Sequence, residues 1–587
     1  MSPSFASSNR FTIYVVAVFV LFSIVSGRLF YLHVINREHA RTVISENRYR
    51  FQEISPRRGV ILDCKGNVLA SSRSAWDIGV DPMMVDIRDK EKLSYLSMIL
   101  NVSVEKLEAD FGWKDQAAGK VSRKRWVKLA SEVDESVYKA VEKLDVSGVY
   151  GNRYYMRYYP SGHDAAHVVG FMNKEHVPVM GVERSLDFYL RGSAGWTVRE
   201  MNGSRREIRQ YRVRDVAAQN GYNIQLTLDS GIQRVVEGEL ERIYKDLDPE
   251  SVTIIVSESR TGSILALGCR PTFDPNEFWN YDLDEDLRNR AISDIYEPGS
   301  TFKIITAAGF INDGLGDRST RFDCSTRSVI FRNRKVVLPT DTHQHGVMEL
   351  HEIIKKSSNR GTALAGLEMG EERMFDYCKA FGFGSKTGIE LNGEESGILH
   401  SVANWDHYTL SRLSIGYGVG VTPLQMHVAM SVIANDGEWI APHIADCAMD
   451  GDMRPVILFQ KPEPVQVISS ATAHEIRDCL IEVVNAGGTG TRAQNRKIEI
   501  AGKTGTSRKL FDDGYSDKRH VGSFSGFFPA RNPEYVITVV VNDPRKSNST
   551  YGGSVAAPAF KAIADFIISS RGIESVPADH GLIAWNY

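Results

Sequence analysis

The spacing of apolar positions changes character several times along this 587-residue chain. Phe11 to Gly27, FTIYVVAVFVLFSIVSG, carries no charge, and apolar character resumes after Arg28 in LFYLHVI. Continued to about Leu32, the run reaches the roughly 20 residues that span a bilayer, which predicts a transmembrane anchor over residues 11–33 behind a tail of residues 1–10. A cleaved signal peptide is the alternative, with Val25, Ser26 and Gly27 as small residues before a cut. The length of the run and the interfacial Tyr31 and His33 favour the anchor. Arg10 on one side against Arg28, Arg37, Arg41 and Arg48 on the other would keep the C-terminal part in the cytoplasm by charge count. Long domains are translocated largely regardless of charge, so the pattern leaves orientation open.

From 34 to 214, short alternations such as GVILD and WDIGVD are interleaved with charged helical stretches such as EVDESVYKAVEKL. This reads as a separate, mixed and partly extended membrane-proximal module. The pattern then shifts: NIQLTLD alternates like a strand, and an amphipathic helix follows with Ser230 as its expected N-cap. SVTIIVSESRTGSILALGC reads as a hairpin turning at Arg260-Thr261-Gly262. HVGSFSGFFPARNPEYVITVVVND gives two more strands around Pro529 to Pro533, before a final helix from Ala557 to Ser569. Helical segments between the two hairpins predict an α+β domain over 215–575, an antiparallel sheet with helices packed on it, and residues 576–587 form a tail.

Composition narrows the function. A chain 42% hydrophobic and 24% charged is globular, and a net charge of −3 lacks the basic face of a nucleic-acid binder. The basic run Lys120 to Lys128 reads as a solvated face. Six widely spaced cysteines with no C-x-x-C pair indicate isolated, mostly buried thiols, neither a zinc site nor a disulfide scaffold. His343, His345 and His351 lack any further ligand pattern, so no metal and no cofactor is expected. GYGVGV, from Gly416, lacks dinucleotide-binding spacing and reads as a loop beside the active site.

Candidate chemistry centres on YEPGSTFKIITAAG, which places Ser300 and Lys303 three positions apart. S-x-x-K occurs three times, about what chance delivers in a chain of this composition. Ser103 with Lys106 reads as a helix N-cap, and Ser136 with Lys139 as a charged amphipathic helix. Ser300 differs because Pro298 and Gly299 break the chain before an apolar, buried helix. A lysine starting such a helix must be paired or lose its proton by desolvation. A neutral lysine on the same helix face can take the Ser300 proton, and free N–H groups of the helix start can hold an oxyanion. Downstream, KKSSNRG offers Ser357 and Asn359 as a proton bridge to a leaving amine. IEIAGKTGTSR offers Lys503, Thr504, Gly505 and Thr506, a cation and donors at the end of a strand-like alternation. S-x-N recurs at Ser7 and Ser45. K-T-G recurs at Lys386-Thr387-Gly388, in a loop between helix and strand.

The ordered set S-x-x-K, S-x-N, K-T-G resembles the penicillin-recognising serine acyltransferases. PRRGVILDCKGNVLA, YYPSGHDAAHVVGF and GVERSLDFYLRG narrow the resemblance to class B penicillin-binding proteins, with Cys64 where an arginine is usual. RNRAISDIYEPGSTFK, SIGYGVGVTPLQM and VVVNDPRKSNSTYGGSVAAPAF are most similar to the septal, FtsI-type members. The resemblance covers about Phe11 to Phe566. It implies the penicillin-binding, transpeptidase fold and a peptidoglycan D,D-transpeptidase joining stem peptides ending in D-Ala-D-Ala during septal wall synthesis. Ser300 would be the acylated nucleophile and Lys303 its base. Ser357 would relay the proton, and Asn359 would hold Lys303 and the substrate amide. Lys503, Thr504, Gly505 and Thr506 would bind substrate, and the backbone N–H groups of Ser300 and Thr506 would form the oxyanion hole. It further implies acylation by β-lactam antibiotics, and a single pass of the cytoplasmic membrane with the catalytic domain outside, at the division septum. The expected partners are a SEDS-family glycosyltransferase (FtsW-type) and other divisome membrane proteins. The rivals are an elongation-specific class B transpeptidase and a non-catalytic divisome scaffold. A β-lactamase-type hydrolase would need no such N-terminal module and would need a deacylating glutamate, of which no clear candidate stands out.

Overall fold

The computed structural model describes residues 8–38, 49–113, 126–200, 214–511 and 514–574. Residues 1–7 of the first tail, the C-terminal tail, the S-x-N match at Ser45 and most of the basic run Lys120–Lys128 lie outside them. The chain divides into two compact units, one from Met1–Arg57 with Gly192–Gly221 and one from Arg58–Arg191 with Tyr222–Tyr587.

In the first unit, a helix over Ser8–Phe30 continues into a π-turn at Tyr31–Ile35. Together Asn9–Ile35 makes 27 residues holding an 18-residue stretch of mean hydropathy 2.2, long and apolar enough to cross a membrane. At 1.5 Å per residue that is about 40 Å, which exceeds a hydrocarbon core of about 30 Å. The other described part is a three-stranded sheet, Tyr49–Ile54 against Gly195–Glu200 and then Arg214–Val216.

The second unit contains two sheets. Seven strands form the first, in the order Pro455–Leu458, Ala445–Met449, Asn223–Leu226, Ile61–Leu62, Val68–Val80, Val127–Val133, with Val149–Tyr158 also paired to Val68–Val80. NIQL is thus a strand, but it belongs to this sheet and runs parallel to Ile61–Leu62. A buried ion cluster lies beneath it. Glu183 accepts from Arg58 Nε at 2.7 Å and from Arg157 Nε at 2.5 Å, with all three side chains under 10% exposed. Two segments distant in sequence, PRRG and GVER, meet through this carboxylate.

The second sheet holds both of the hairpins expected from the sequence. Its first hairpin is β1, Ser251–Glu258, and β2, Ile264–Arg270, preceded by helix α1, Ser230–Leu247. Then come α2, Lys303–Asn312, α3, Leu350–Lys356, α4, Asn359–Met369, and α5, Pro423–Ala434. The chain closes with β3, Ala501–Phe511, β4, Gly514–Phe528, β5, Tyr535–Asn542, and α6, Ala557–Arg571. The strand order is β2-β1-β5-β4-β3, antiparallel throughout. Ile254, Val256, Ile537 and Val539 pack with α1 and α6 on one face, and Phe527 and Val536 join the α2 and α5 core on the other. Burial on both faces explains why β1 and β5 read as near-continuous apolar runs.

The helix α1 is capped by Asp229, not Ser230: the Asp229 carboxylate accepts from the backbone N–H of Gly231 and Ile232. Ser230 has another use, donating its hydroxyl to Asp63 at 2.6 Å. Five of the six cysteines are buried, and all are free thiols, with Cys64 exposed.

Candidate active site

Ser300 sits in a 3₁₀ turn, Gly299–Phe302, that runs straight into α2. The turn needs a glycine before the serine. Gly299 has φ of 54°, and a Cβ there would lie 2.7 Å from the Thr506 carbonyl oxygen of β3. Its N–H donates to the Gly416 carbonyl at 3.1 Å, so the GYGVGV segment lies against the serine turn. From Lys303 through Ile311 every side chain of α2 is buried. Ser300 remains half-buried, and its hydroxyl makes no hydrogen bond to another described residue.

Lys303 has no exposed surface. Its Nζ donates to the Ser357 carbonyl at 2.6 Å, to Ser357 Oγ at 3.2 Å and to Asn359 Oδ1 at 2.8 Å. Ser357 reaches this position because it ends α3 in the left-handed conformation, φ 60°. Ser358 then caps α4, turning Asn359 back toward the lysine. The second buried cation, Lys503 on β3, is also fully buried and donates to Ser357 Oγ at 3.0 Å and to the Thr504 carbonyl at 3.1 Å. Two ammonium groups therefore converge on one hydroxyl, which no acidic side chain among the described residues joins directly. Burial drives the Lys303 pKa well below its ordinary value, the charge of Lys503 lowers it further, and Asp341 opposes the shift. Burial lowers Lys503 to about 7.

The K-T-G stretch begins the edge strand β3 rather than ending an alternation. As the outer strand, β3 has a free edge to offer a substrate backbone. Thr504 Oγ1 pairs with Thr489 Oγ1 at 2.7 Å, and Thr506 Oγ1 accepts from the Gly552 N–H at 3.2 Å. At Gly505 a Cβ would fall 2.3 Å from Ser523 Oγ, 2.9 Å from Thr301 Cγ2 and 3.0 Å from the Pro298 carbonyl. Glycine is what lets the edge strand approach the serine turn.

Ser300, Lys303, Ser357, Asn359, Lys503, Thr504, Gly505 and Thr506 thus gather where α2, the α3–α4 junction and β3 meet. The other matches do not join them. Ser103 caps the helix Val104–Asp110, accepting from the Lys106 N–H, and Lys139 pairs with Glu135 at 3.0 Å. Lys386 is exposed in a loop whose Thr387 is held by Glu394.

Two contributors have no sequence signal of their own. Asp341 accepts from Ser358 Oγ at 2.7 Å, and from the N–H groups of Asn359 and Arg360; it opens DTHQHGVMELHE, a stretch conspicuous for its histidines. Glu297 accepts from the Gly418 N–H at 2.7 Å and from Tyr515 Oη at 2.9 Å, tying the GYGVGV loop and the β3–β4 hairpin to the serine turn.

This arrangement can be compared with known proteins. Residues 252–565 match the penicillin binding protein transpeptidase domain, and residues 53–226 match the penicillin-binding protein dimerisation domain. Stage V sporulation protein D of Bacillus subtilis is 32% identical over 542 residues, 92% of this chain and 82% of that protein. Peptidoglycan D,D-transpeptidase FtsI of Escherichia coli is 28% identical over 574 residues, 97% of this chain and 92% of its own. Among solved structures, penicillin binding protein 3 of Mycobacterium tuberculosis complexed with aztreonam superposes with a TM-score of 0.69 at 27% identity, covering 90% of this chain and 98% of that one. With the transpeptidase match spanning more than half its length, and relatives aligned over nearly all of it, the chain belongs to the class B penicillin-binding proteins.

Proposed function

We propose that this class B D,D-transpeptidase works through an acyl-enzyme on Ser300, in septal wall synthesis. The observation that carries the catalytic reading is the convergence of two fully buried lysines on Ser357 Oγ. Lys303, more strongly depressed, is the neutral base. It takes the proton from Ser300 Oγ as that oxygen bonds to the penultimate D-alanine carbonyl carbon. The carbonyl π electrons move to oxygen, held by the N–H groups of Ser300 and Thr506. Collapse of the tetrahedral adduct breaks the C–N bond. The proton passes from Lys303 through Ser357 Oγ to the leaving nitrogen, releasing D-alanine. An amine of a second stem peptide then attacks the ester, loses a proton along the reverse route and frees Ser300. Lys503 stays charged against the substrate carboxylate, Thr504 and Thr506 add donors, and Asn359 fixes Lys303 and the substrate amide. A β-lactam would enter the same pocket and leave a stable ester.

The anchor helix supports single-pass attachment to the cytoplasmic membrane. The orientation with residues 1–10 inside, the module over 34–214 and the catalytic domain over 215–575 outside, the septal address and an FtsW-type partner all belong to this proposal. They rest on the FtsI-like flanking segments and on similarity to a protein named FtsI.

The test is turnover. The full chain in detergent, given strands bearing pentapeptides, should release D-alanine and form cross-linked product in equal amounts, and Ser300→Ala should do neither. Release without cross-linking would make the protein a carboxypeptidase instead. A fluorescent fusion gathered along the cylinder, with depleted cells that round up while still dividing, would favour the elongation role.

A further inference from the structure

One row of the sheet face under α2 and α5 is apolar: Ala501 on β3, Phe527 on β4 and Val536 on β5 stand side by side in that core. The next row is polar. Lys503 on β3 stands opposite Ser525 on β4, and Ser525 opposite Thr538 on β5. Cross-strand neighbours of this kind hold their Cβ atoms about 5 Å apart.

His427 of α5 joins this row from above. Its Nδ1 lies 3.0 Å from Thr538 Oγ1 and its Nε2 2.7 Å from Ser257 Oγ on β1, while Thr538 Oγ1 lies 2.7 Å from Ser525 Oγ. All four side chains are no more than 2% exposed. Four elements thus meet through one unbroken file of buried hydrogen bonds. Such a file in an apolar core is costly unless each member is bonded, and fully bonded it fixes one arrangement.

The file has a direction. Burial keeps His427 neutral, its pKa lowered to about 3, so one ring nitrogen donates and the other accepts. Among the described residues Thr538 is the one hydrogen-bond partner of Ser525 Oγ, so the Ser525 proton is satisfied by donating to Thr538 Oγ1. Thr538 then donates to Nδ1, and the Nε2 proton goes to Ser257 Oγ. Ser257 lines a small cavity with Ser431 and Glu438, where its own proton finds an outlet. Every O–H and N–H of the file therefore points away from β3, and its acceptor end is Ser525 Oγ, the neighbour of Lys503. Aligned dipoles favour a positive charge at their acceptor end.

We propose that His427 is a positioning residue for substrate binding: through Thr538 and Ser525 it aligns hydroxyl dipoles toward Lys503 and so supports the ammonium that takes the substrate's terminal carboxylate. The inference rests on that reading of Lys503. An imidazole suits the task because it bridges β1 and β5 while keeping one donor and one acceptor. A side-chain amide offers the same pair, and an aliphatic side chain offers neither.

The experiment compares acylation of Ser300 in the full chain by a penicillin and by its methyl ester, which lacks the carboxylate charge. His427→Leu should lower the rate constant for the acid by about fivefold or more and leave that for the ester within about twofold. Thr538→Val, which removes a hydroxyl alone, should do the same, and the two changes together should cost no more than either one. His427→Gln should restore most of the preference for the acid. Retained acylation by the ester reports that each variant is folded. Variants that keep the parent's preference for the acid, or that lose the acid and ester rates equally, would overturn the proposal, because a purely structural role moves both ligands alike. A parent acylated by neither ligand would instead sink the transpeptidase reading, and the proposal with it. A parent acylated by both without preference would sink the role of Lys503 on which the proposal rests.

Discussion

Ser357 Oγ receives two lysines, and the reaction needs one of them neutral and the other charged. Burial lowers both, Lys503 to about 7, and the repulsion between them favours a single charge on the pair. Acylation should therefore be bell-shaped in pH, with macroscopic limbs that belong to the coupled pair. Going down in pH, protonation of Lys303 removes the base; going up past about 7, Lys503 loses the charge that holds the carboxylate. Lys503→Arg should keep the acid limb and abolish the alkaline one, since guanidinium does not deprotonate. Lys303→Arg should lower the rate by about 10² or more at every pH. An alkaline limb unchanged in Lys503→Arg would contradict the assignment.

Asp341 acts at the same scale, through other groups. Its charge raises the Lys303 pKa against the larger effect of burial, and its oxygens hold Ser358 and Asn359. Asp341→Asn should move the acid limb to lower pH, as Lys303 then loses its proton more readily. An acid limb that stays in place while activity falls would reduce Asp341 to a structural cap.

Between elements, the decisive contact is the approach of β3 to the serine turn. A side chain at Gly505 would meet Ser523, Thr301 and Pro298, two of them in or beside that turn. Gly505→Ala should push the strand outward and cost about 10² in acylation, the penalty of roughly 1 Å of misplacement. The loss in stability should be only about 1–3 kcal/mol. Normal acylation by Gly505→Ala, with thermal unfolding monitored alongside, would mean that the strand has slack to spare. Elements of this kind were largely legible in the sequence. The hairpins announced themselves by β-branched runs around Arg260-Thr261-Gly262 and Pro529, and α2 by its apolar run behind Pro298-Gly299. The cap of α1 was misplaced by one residue because Asp229 and Ser230 are both good caps, and only the distant Asp63 decides which is free. Asp341 and Glu297 have no signal for the same reason: their partners lie at the start of α4, in the GYGVGV loop and in β4, and their meeting is a property of the tertiary fold.

At the scale of the whole molecule, the segments PRRG and GVER read as family markers, and in the structure they are two sides of one buried ion cluster. Glu183 neutralises both Arg58 and Arg157 where almost no solvent reaches. Glu183→Ala would leave Arg157 without a carboxylate and Arg58 with Asp187 alone, and should cost about 3–5 kcal/mol. A thermal midpoint within a degree or two of the parent would show that the cluster is dispensable. The chemistry of the whole chain turns on Ser300. The proposed single nucleophile, in a long chain with three S-x-x-K matches, is the helix-start serine three positions before the buried Lys303. The direct measurement is mass mapping of the full chain after exposure to a β-lactam. One adduct is expected, on the peptide carrying Ser300, and none on Ser300→Ala. An adduct on Ser103 or Ser136, or undiminished labelling of Ser300→Ala, would contradict it.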